Sequence, residues 1–267
     1  MRTKIYIYCN NNKSSIEVKN ALAQELLAND FYLMDKYSEE TDILVCIGGD
    51  GTFLSFIHDC NFPSKPVIGI NTGHLGFFQE ALPNDIPDIV KILKNGKYKF
   101  HEIKPVKANV ITKDKTIRLT GLNEILVRGE NAHTTHLSIF IEKIKIQDFS
   151  GDGMLVSTPA GSTAYNYSLG GSLVSPDLDV LQITPIAPMN TSAYRSFHSS
   201  IILPTDNIIK IVPKERTKNS NIYIYYDGIT KVFPDIKSIE ITQSTDVIRV
   251  IRFDNYDYWQ KLTSKLL

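Results

Sequence analysis

Apolar positions in the N-terminal part of the chain switch between two rhythms. Lys4 to Cys9 is a short β-rich run, and behind the polar starters Ser14 and Ser15 the residues Val18, Ala21, Leu22 and Leu26 recur at helical spacing. Ile43 to Ile47 is a continuous apolar run, the pattern of a strand covered on both faces, and it stops at Gly48-Gly49. A helix from Thr52 to Asp59, a second buried strand at Val67 to Ile70 and a helix around Asp85 to Lys94 complete the alternation. Strands that alternate with helices in this way predict a parallel sheet with covering helices.

After Asn95-Gly96 the rhythm becomes one of short strands. Leu137, Ile139 and Ile141 alternate with other residues, Glu142-Lys143 turns the chain, and Ile144 and Ile146 resume the alternation as a hairpin does. Further strands are expected at Lys107 to Thr112, Ile201 to Leu203, Ile208 to Val212, Ile222 to Tyr226 and Val247 to Phe253. The fold expected is therefore an α/β domain over residues 1–98, an all-β domain over residues 99–252, and a terminal helix within residues 253–267 that packs back on the first domain. There is no internal repeat and no low-complexity segment.

The length, 267 residues, suits two domains with a substantial interior. Apolar residues at 42% and charged residues at 22% are those of a soluble globular chain. Lysine plus arginine equals aspartate plus glutamate at 29 each, so nothing advertises nucleic acid or an anionic membrane, and a small metabolite fits better. Cys9, Cys46 and Cys60 form neither a Cys-x-x-Cys pair nor a disulfide framework and read as reduced thiols. The apolar stretch behind Arg2 and Lys4 runs only from Ile5 to Cys9, shorter than a signal-peptide core, and no segment approaches the roughly 18 apolar residues of a membrane span. A cytoplasmic location is expected.

Four motifs carry candidate chemistry. Gly48-Gly49-Asp50-Gly51-Thr52 follows a buried strand and opens a helix, where backbone N–H groups favour phosphate and glycines let a bulky anion approach the main chain. It is neither a Walker A loop nor a dinucleotide fingerprint. Asp50 beside a phosphate site is electrostatically unfavourable unless it takes a proton or holds Mg²⁺, which points to catalysis; the alternative is a tight turn capped by an aspartate. Asn123-Glu124 offers donors and acceptors for sugar hydroxyls or an adenine edge, although alone it reads first as a solvated loop. Gly151-Asp152-Gly153 alone reads first as a hairpin turn. Ser157 to Tyr165, reading STPAGSTAY, places five hydroxyl side chains in a loop entering a helix from Ser162 onward, the density expected of ligand contact.

These motifs, with Asn71 to Phe77 and Tyr226-Asp227-Gly228, resemble in order those of the bacterial NAD kinases, also called ATP-NAD or polyphosphate-NAD kinases. The resemblance implies an α/β N-terminal domain, a β-rich NAD-binding domain and a homo-oligomer, tetramer or dimer. It implies transfer of the γ-phosphoryl group of ATP to the 2′-hydroxyl of the adenosine ribose of NAD, with Mg²⁺ or another divalent cation arriving on ATP. By position, Asp50 corresponds to the general base, and Gly48, Gly49, Gly51 and Thr52 to the phosphate-holding turn. Asn123 and Glu124 correspond to the pair holding ribose and adenine, Asp152 to the acid near the nicotinamide amide, and Thr163, Ala164, Tyr165 and Ser168 to the dinucleotide-contacting run. Phe77, Ala187 and Asp227 are further substrate-binding positions. Some members carry an arginine immediately before Gly-Asp-Gly; Ser150 stands there in this chain, so the cation facing the product phosphate is unassigned.

Two other classes compete. A diacylglycerol-type lipid kinase shares the Gly48–Thr52 motif but has no use for the Ser157–Tyr165 loop, and a non-catalytic NAD(P) sensor has no use for Asp50. His133 and His136 have a spacing that suits a metal only on a helix and read as surface residues; His74 lies near the end of a parallel strand, where ligand and packing roles are equally open. Trp259 reads as a core or subunit contact.

Overall fold

The computed structural model describes residues 2–73, 76–130, 133–192, 195–214 and 221–266; His74 lies outside the described residues. The chain divides into two compact units, Met1–Ile103 with Asp246–Leu267, and Lys104–Thr245. The first unit begins with β1 (Lys4–Cys9), α1 (Lys13–Ala28), β2 (Tyr32–Met34), β3 (Ile43–Ile47), α2 (Asp50–Asp59), β4 (Val67–Ile70), α3 (Ile86–Asn95) and β5 (Lys99–Ile103). In α3, Ile86, Ile89, Val90 and Leu93 form one buried stripe, and Gly96 ends the helix in the left-handed conformation, φ 64°.

β1 to β4 are parallel. Every residue of β3 and β4 is buried because both faces of the sheet are covered. On one face Ile5, Ile7, Val45 and Ile68 pack with Leu22 and Leu26 of α1 and the stripe of α3. On the other, Tyr8 meets Phe56 of α2 at 5.2 Å, while Phe53 of α2 stacks on Phe78 at 4.8 Å. Complete burial of each such side chain contributes about 1.5–3 kcal/mol, so the apolar continuity read in the sequence is the energetic centre of this unit. Cys46 and Cys60 are buried and Cys9 half-buried, all as free thiols.

The second unit contains β6 (Val106–Thr112), β7 (Thr116–Gly121), β8 (Glu124–Gly129), β9 (Thr135–Ile141), β10 (Ile144–Gly151), β11 (Gly153–Ser157), the single turn α4 (Tyr165–Ser168), β12 (Val180–Ile186), β13 (Ile201–Pro204), β14 (Ile209–Pro213), β15 (Ile222–Tyr226), β16 (Ile229–Phe233) and β17 (Ile236–Gln243). They form two antiparallel sheets, β10-β9-β14-β17-β6-β7 and β13-β12-β11-β8-β15-β16. Their inner faces, with Leu137, Ile139, Ile211 and Ile239 from one and Ile125, Val127, Val156 and Ile224 from the other, share one core. Glu142, at φ 55°, turns β9 into β10 as the alternation predicts.

Gly151-Asp152-Gly153 does not close a hairpin. Gly151 pairs with Thr135 in one sheet and Gly153 with Arg128 and Ile186 in the other, so Asp152 is the one residue between the two sheets. Both glycines are required by close packing: a Cβ on Gly151 would sit 2.8 Å from the carbonyl oxygens of Ile186 and Ala187, and one on Gly153 would strike Val127.

The chain then re-enters the first unit through β18 (Ile248–Arg252) and α5 (Tyr258–Leu266). β18 inserts between β4 and β5, giving the order β2-β1-β3-β4-β18-β5. β18, expected among the short strands of the second domain, and β5, not among the expected strands but within that domain's expected bounds, thus belong to the first sheet, antiparallel to each other. The breaks fall after Ile103 and before Asp246, where the expectation put them at Tyr98 and at residue 253.

Candidate active site

In the first unit the strand order reverses between β1 and β3, so the turns leaving these two strands lie side by side at their carboxyl ends, the place where open α/β sheets take ligands. Asn10, after β1, donates from Nδ2 to Thr52 Oγ1 across this switch, 3.0 Å. Gly48, at φ 150°, has Thr52 where its Cβ would be, so its glycine is structural; a Cβ on Gly49 or Gly51 would meet nothing within 4 Å, so both face open space. Gly49 caps α2 without a side-chain hydrogen bond, which leaves the first N–H groups of the helix for a ligand. Asp50 is the first residue of α2, and its carboxylate is fixed by two consecutive amides: Phe77 N–H donates to Oδ2 at 2.9 Å and Phe78 N–H to Oδ1 at 3.1 Å. Gly76 packs so closely that a Cβ there would strike Asp50 Oδ1.

In the second unit Asn123, Glu124, the Ser157–Tyr165 run and Asp227 come together at one end of a sheet. Glu124 pairs with Ser157, and Ile125 with Tyr226. Asp227 and Gly228, at φ 48° and 82°, form the tight turn between β15 and β16 that Asp-Gly favours. That turn aims the Asp227 carboxylate at the Leu122 and Asn123 N–H groups, which donate to it at 2.5 and 2.8 Å. Thr158 completes the stitching: its N–H donates to Asn123 O at 2.9 Å and its hydroxyl to Leu122 O at 2.8 Å.

The result is no solvated loop. Asn123 is 6% exposed, and its Oδ1 and Glu124 Oε2 are buried without a hydrogen-bond partner among the described residues. Burial, with the Asp227 carboxylate second, pushes the Glu124 carboxyl up to about 8. Thr163 closes a 3₁₀ turn, Ala160–Thr163, and Ala164 leads into Tyr165–Ser168, whose Tyr165 is 41% exposed. Asn166, fully buried, anchors this run through Thr184 Oγ1, which donates to its Oδ1 at 2.6 Å.

Asp152 and Ala187 lie at the opposite end of β11. Asp152 N–H donates to Ile186 O at 2.9 Å, and its carboxylate is 3.4 Å from Arg128 Nη2. Ala187 holds φ 43°, a conformation rare outside glycine. Ser150 spends its groups internally, its N–H on Ser196 Oγ and its hydroxyl with His136 Nδ1, so His136 is a half-buried residue of β9 and not a loop residue, while His133 is exposed. Among the described residues no group of three or more His, Cys, Asp or Glu is arranged to hold a metal ion.

Residues 8–98 match the ATP-NAD kinase N-terminal domain and residues 122–253 the ATP-NAD kinase C-terminal domain. An NAD kinase of Finegoldia magna is 34% identical over 98% of this chain and 97% of its own. The chain belongs to the NAD kinase family. An NAD kinase of Staphylococcus aureus is 30% identical over 91% of both chains. Among solved structures, yeast NADH kinase complexed with NADH superposes with a TM-score of 0.85 at 23% identity, covering 99% of this chain and 87% of the yeast one. An NAD kinase from Archaeoglobus fulgidus in complex with ATP gives 0.75 at 24% identity over 98% of each.

As an NAD kinase the protein is an ATP-dependent phosphotransferase acting on NAD. Similarity along the whole chain, and not around Gly48–Thr52 alone, sets aside the lipid-kinase alternative. Several residues that pack against the candidate groups escaped the sequence. Gly161 lies against the Asn123 backbone, Gly76 against Asp50, and Arg252 and Lys261 grip the segment carrying the Phe77 and Phe78 amides. Both glycines stand inside quoted motifs, which was the available signal; the two cations had none.

Proposed function

We propose that Asp50 is the general base for transfer of the γ-phosphoryl group of ATP to the 2′-hydroxyl of the adenosine ribose of NAD. Asp50 takes the hydroxyl proton as the ribose oxygen forms its bond to the γ-phosphorus; the bond from that phosphorus to the β,γ-bridging oxygen breaks and ADP leaves. The free N–H groups at the start of α2 and the open space over Gly49 and Gly51 receive phosphate oxygens. Because each oxygen of Asp50 already accepts a backbone N–H, its orientation is set before substrate arrives, and catalysis is chiefly positioning. A divalent cation, Mg²⁺ or another, neutralises charge on the donor phosphates; a single half-buried carboxylate at this turn fits a cation carried mainly by ATP.

Dinucleotide binding rests on the buried, unpartnered Asn123 Oδ1 and Glu124 Oε2, since such atoms are rare in native proteins and are explained by a ligand. With its carboxyl raised to about 8, Glu124 is chiefly protonated at neutral pH and both donates and accepts, as ribose hydroxyls or an adenine edge require. Asp152 and Ala187 stand one five-residue strand away, about 16 Å. We assign them to the nicotinamide half, and Thr163, Ala164, Tyr165 and Ser168 to the dinucleotide between. Asp227 serves by holding the Asn123-Glu124 turn.

We further place the enzyme in the cytoplasm as a homo-oligomer, dimer or tetramer, acting on NAD and ATP without nucleic acid or membrane. The balanced charge supports the lack of a nucleic-acid or anionic-membrane partner, and among the described residues no helix is long and apolar enough to cross a membrane; oligomer and compartment rest on the family resemblance. The residue assignment is tested with Asn123→Ala and Tyr165→Ala. Both are expected to raise the KM for NAD with kcat little changed, because they remove contacts made alike in ground and transition states. Parental binding and turnover in both would move the dinucleotide site elsewhere.

A further inference from the structure

We propose that Arg252 and Lys261 are positioning residues for Asp50: from β18 and α5 they hold residues 77–80, whose amides orient its carboxylate. The proposal rests on Asp50 being the general base. Arg252 is buried, its side chain 5% exposed, and a guanidinium there is costly unless it is paired; both of its Nη groups are used, while its Nε has no partner among the described residues. Its Nη2 donates to Phe77 O at 3.0 Å, and its Nη1 donates to Phe78 O at 3.2 Å, to Gln79 O at 3.4 Å and to Glu80 Oε2 at 3.0 Å. Glu80 Oε1 accepts the Phe253 N–H at 2.8 Å, closing the pair onto the strand that carries the arginine.

Lys261, 9% exposed, donates from Nζ to Gln79 O at 2.5 Å. The Tyr256 ring backs both cations, 4.1 Å from Arg252 Cζ and 5.0 Å from Lys261 Nζ. Burial, then Arg252, lowers the Lys261 ammonium to about 8, while Glu80 and Asp50 oppose the shift and Lys265 adds weakly to it.

The geometry gives them a specific task. Carbonyls of residues 77–79 face the two cations, while the N–H groups of Phe77 and Phe78 face Asp50. One peptide unit does both: its carbonyl, on Phe77, accepts from Arg252, and its N–H, on Phe78, donates to Asp50 Oδ1. Such a chain fixes the plane of that peptide and strengthens both bonds through polarisation. Loosening it lets Asp50 drift, and misplacement of a reacting group by about 1 Å is enough to cost about 10²-fold in rate.

The test compares the full chain with Lys261→Met, Arg252→Lys, Asp50→Asn and the double variant Lys261→Met with Asp50→Asn, each checked for folding by circular dichroism and Tm. Expected are kcat losses of about 10- to 100-fold for Lys261→Met and Arg252→Lys, with KM for NAD and ATP within about two-fold of the parent. The double variant is expected to be no slower than Asp50→Asn alone, because the cations act through that carboxylate. Parental kcat in folded Lys261→Met, beside a crippled Asp50→Asn, overturns the proposal and leaves the cations a purely structural role. Multiplicative losses in the double variant overturn it too. Parental turnover in Asp50→Asn is a different result, in which the general-base assignment itself has failed and the proposal falls with it. If Arg252→Lys does not fold, the charge-neutral pair Arg252→Met with Glu80→Gln takes its place.

Discussion

At the scale of single residues, two carboxyl groups are set for different work by their surroundings. Asp50 accepts two backbone N–H bonds, an arrangement that stabilises orientation without consuming all its lone pairs. Asp50→Asn keeps the size, removes the proposed base and gives up one of the two amide bonds because Nδ2 cannot accept, so kcat is expected to fall by roughly 10²- to 10⁴-fold while the Kd for NAD changes little; kcat and NAD binding measured on one folded preparation check this. Glu124 is raised from an ordinary value to about 8 by burial first and Asp227 second. A carboxyl raised on folding contributes stability that is present in full below its unfolded value and is lost as pH rises through its folded value. The parent, free of substrate, should therefore lose unfolding free energy between about pH 4.5 and about pH 8, and Glu124→Gln should flatten that slope in urea midpoints taken across the interval.

At the scale of elements, what matters is how closely two backbones approach. A Cβ on Gly161 would lie 2.6 Å from the Asn123 carbonyl carbon and closer still to its oxygen, in the region where Thr158 stitches the two segments. Gly161→Ala must push the Ser157–Tyr165 run away from the Asn123-Glu124 turn. The expected outcome is a KM for NAD raised about ten-fold or more, with about 1–3 kcal/mol lost in chemical denaturation. An unchanged KM would show that the turn tolerates the displacement. The crossing at Asp152 obeys the same rule: two glycines flank one residue because both sheets come too close there for side chains.

At the scale of the whole molecule, the two units differ in how they are assembled. Lys104–Thr245 is one continuous stretch that contains all strands of both its sheets, whereas the first unit draws β18 and α5 from the far end of the chain. A fragment of residues 104–245 is expected to fold alone, with β-type circular dichroism and a cooperative thermal transition. A fragment of residues 1–103 lacks the strand that joins β4 to β5 and both cations bound to residues 77–80, and it should not give such a transition. A stable, cooperative 1–103 fragment would contradict the role assigned to the returning segment.

Local burial is what a sequence records, and here it recorded β3 and β4 well, because strands covered on both faces must be apolar throughout, while β1, buried only at Ile5 and Ile7, showed as a short β-rich run. It also marked Gly48–Thr52, Asn123-Glu124, Gly151–Gly153 and Ser157–Tyr165, since backbone approach and polar contact demand unusual residue types. Strand partners are not recorded in this way. Val247 to Phe253 alternates like any half-buried strand, and only its pairing with β4 and β5 assigns it to the first sheet. Likewise Asp152 became a crossing, Asn123 a buried residue, and Arg252 and Lys261 the clamp on residues 77–80. Each depends on hydrogen bonds between residues far apart in the chain, and tertiary packing alone chooses those partners.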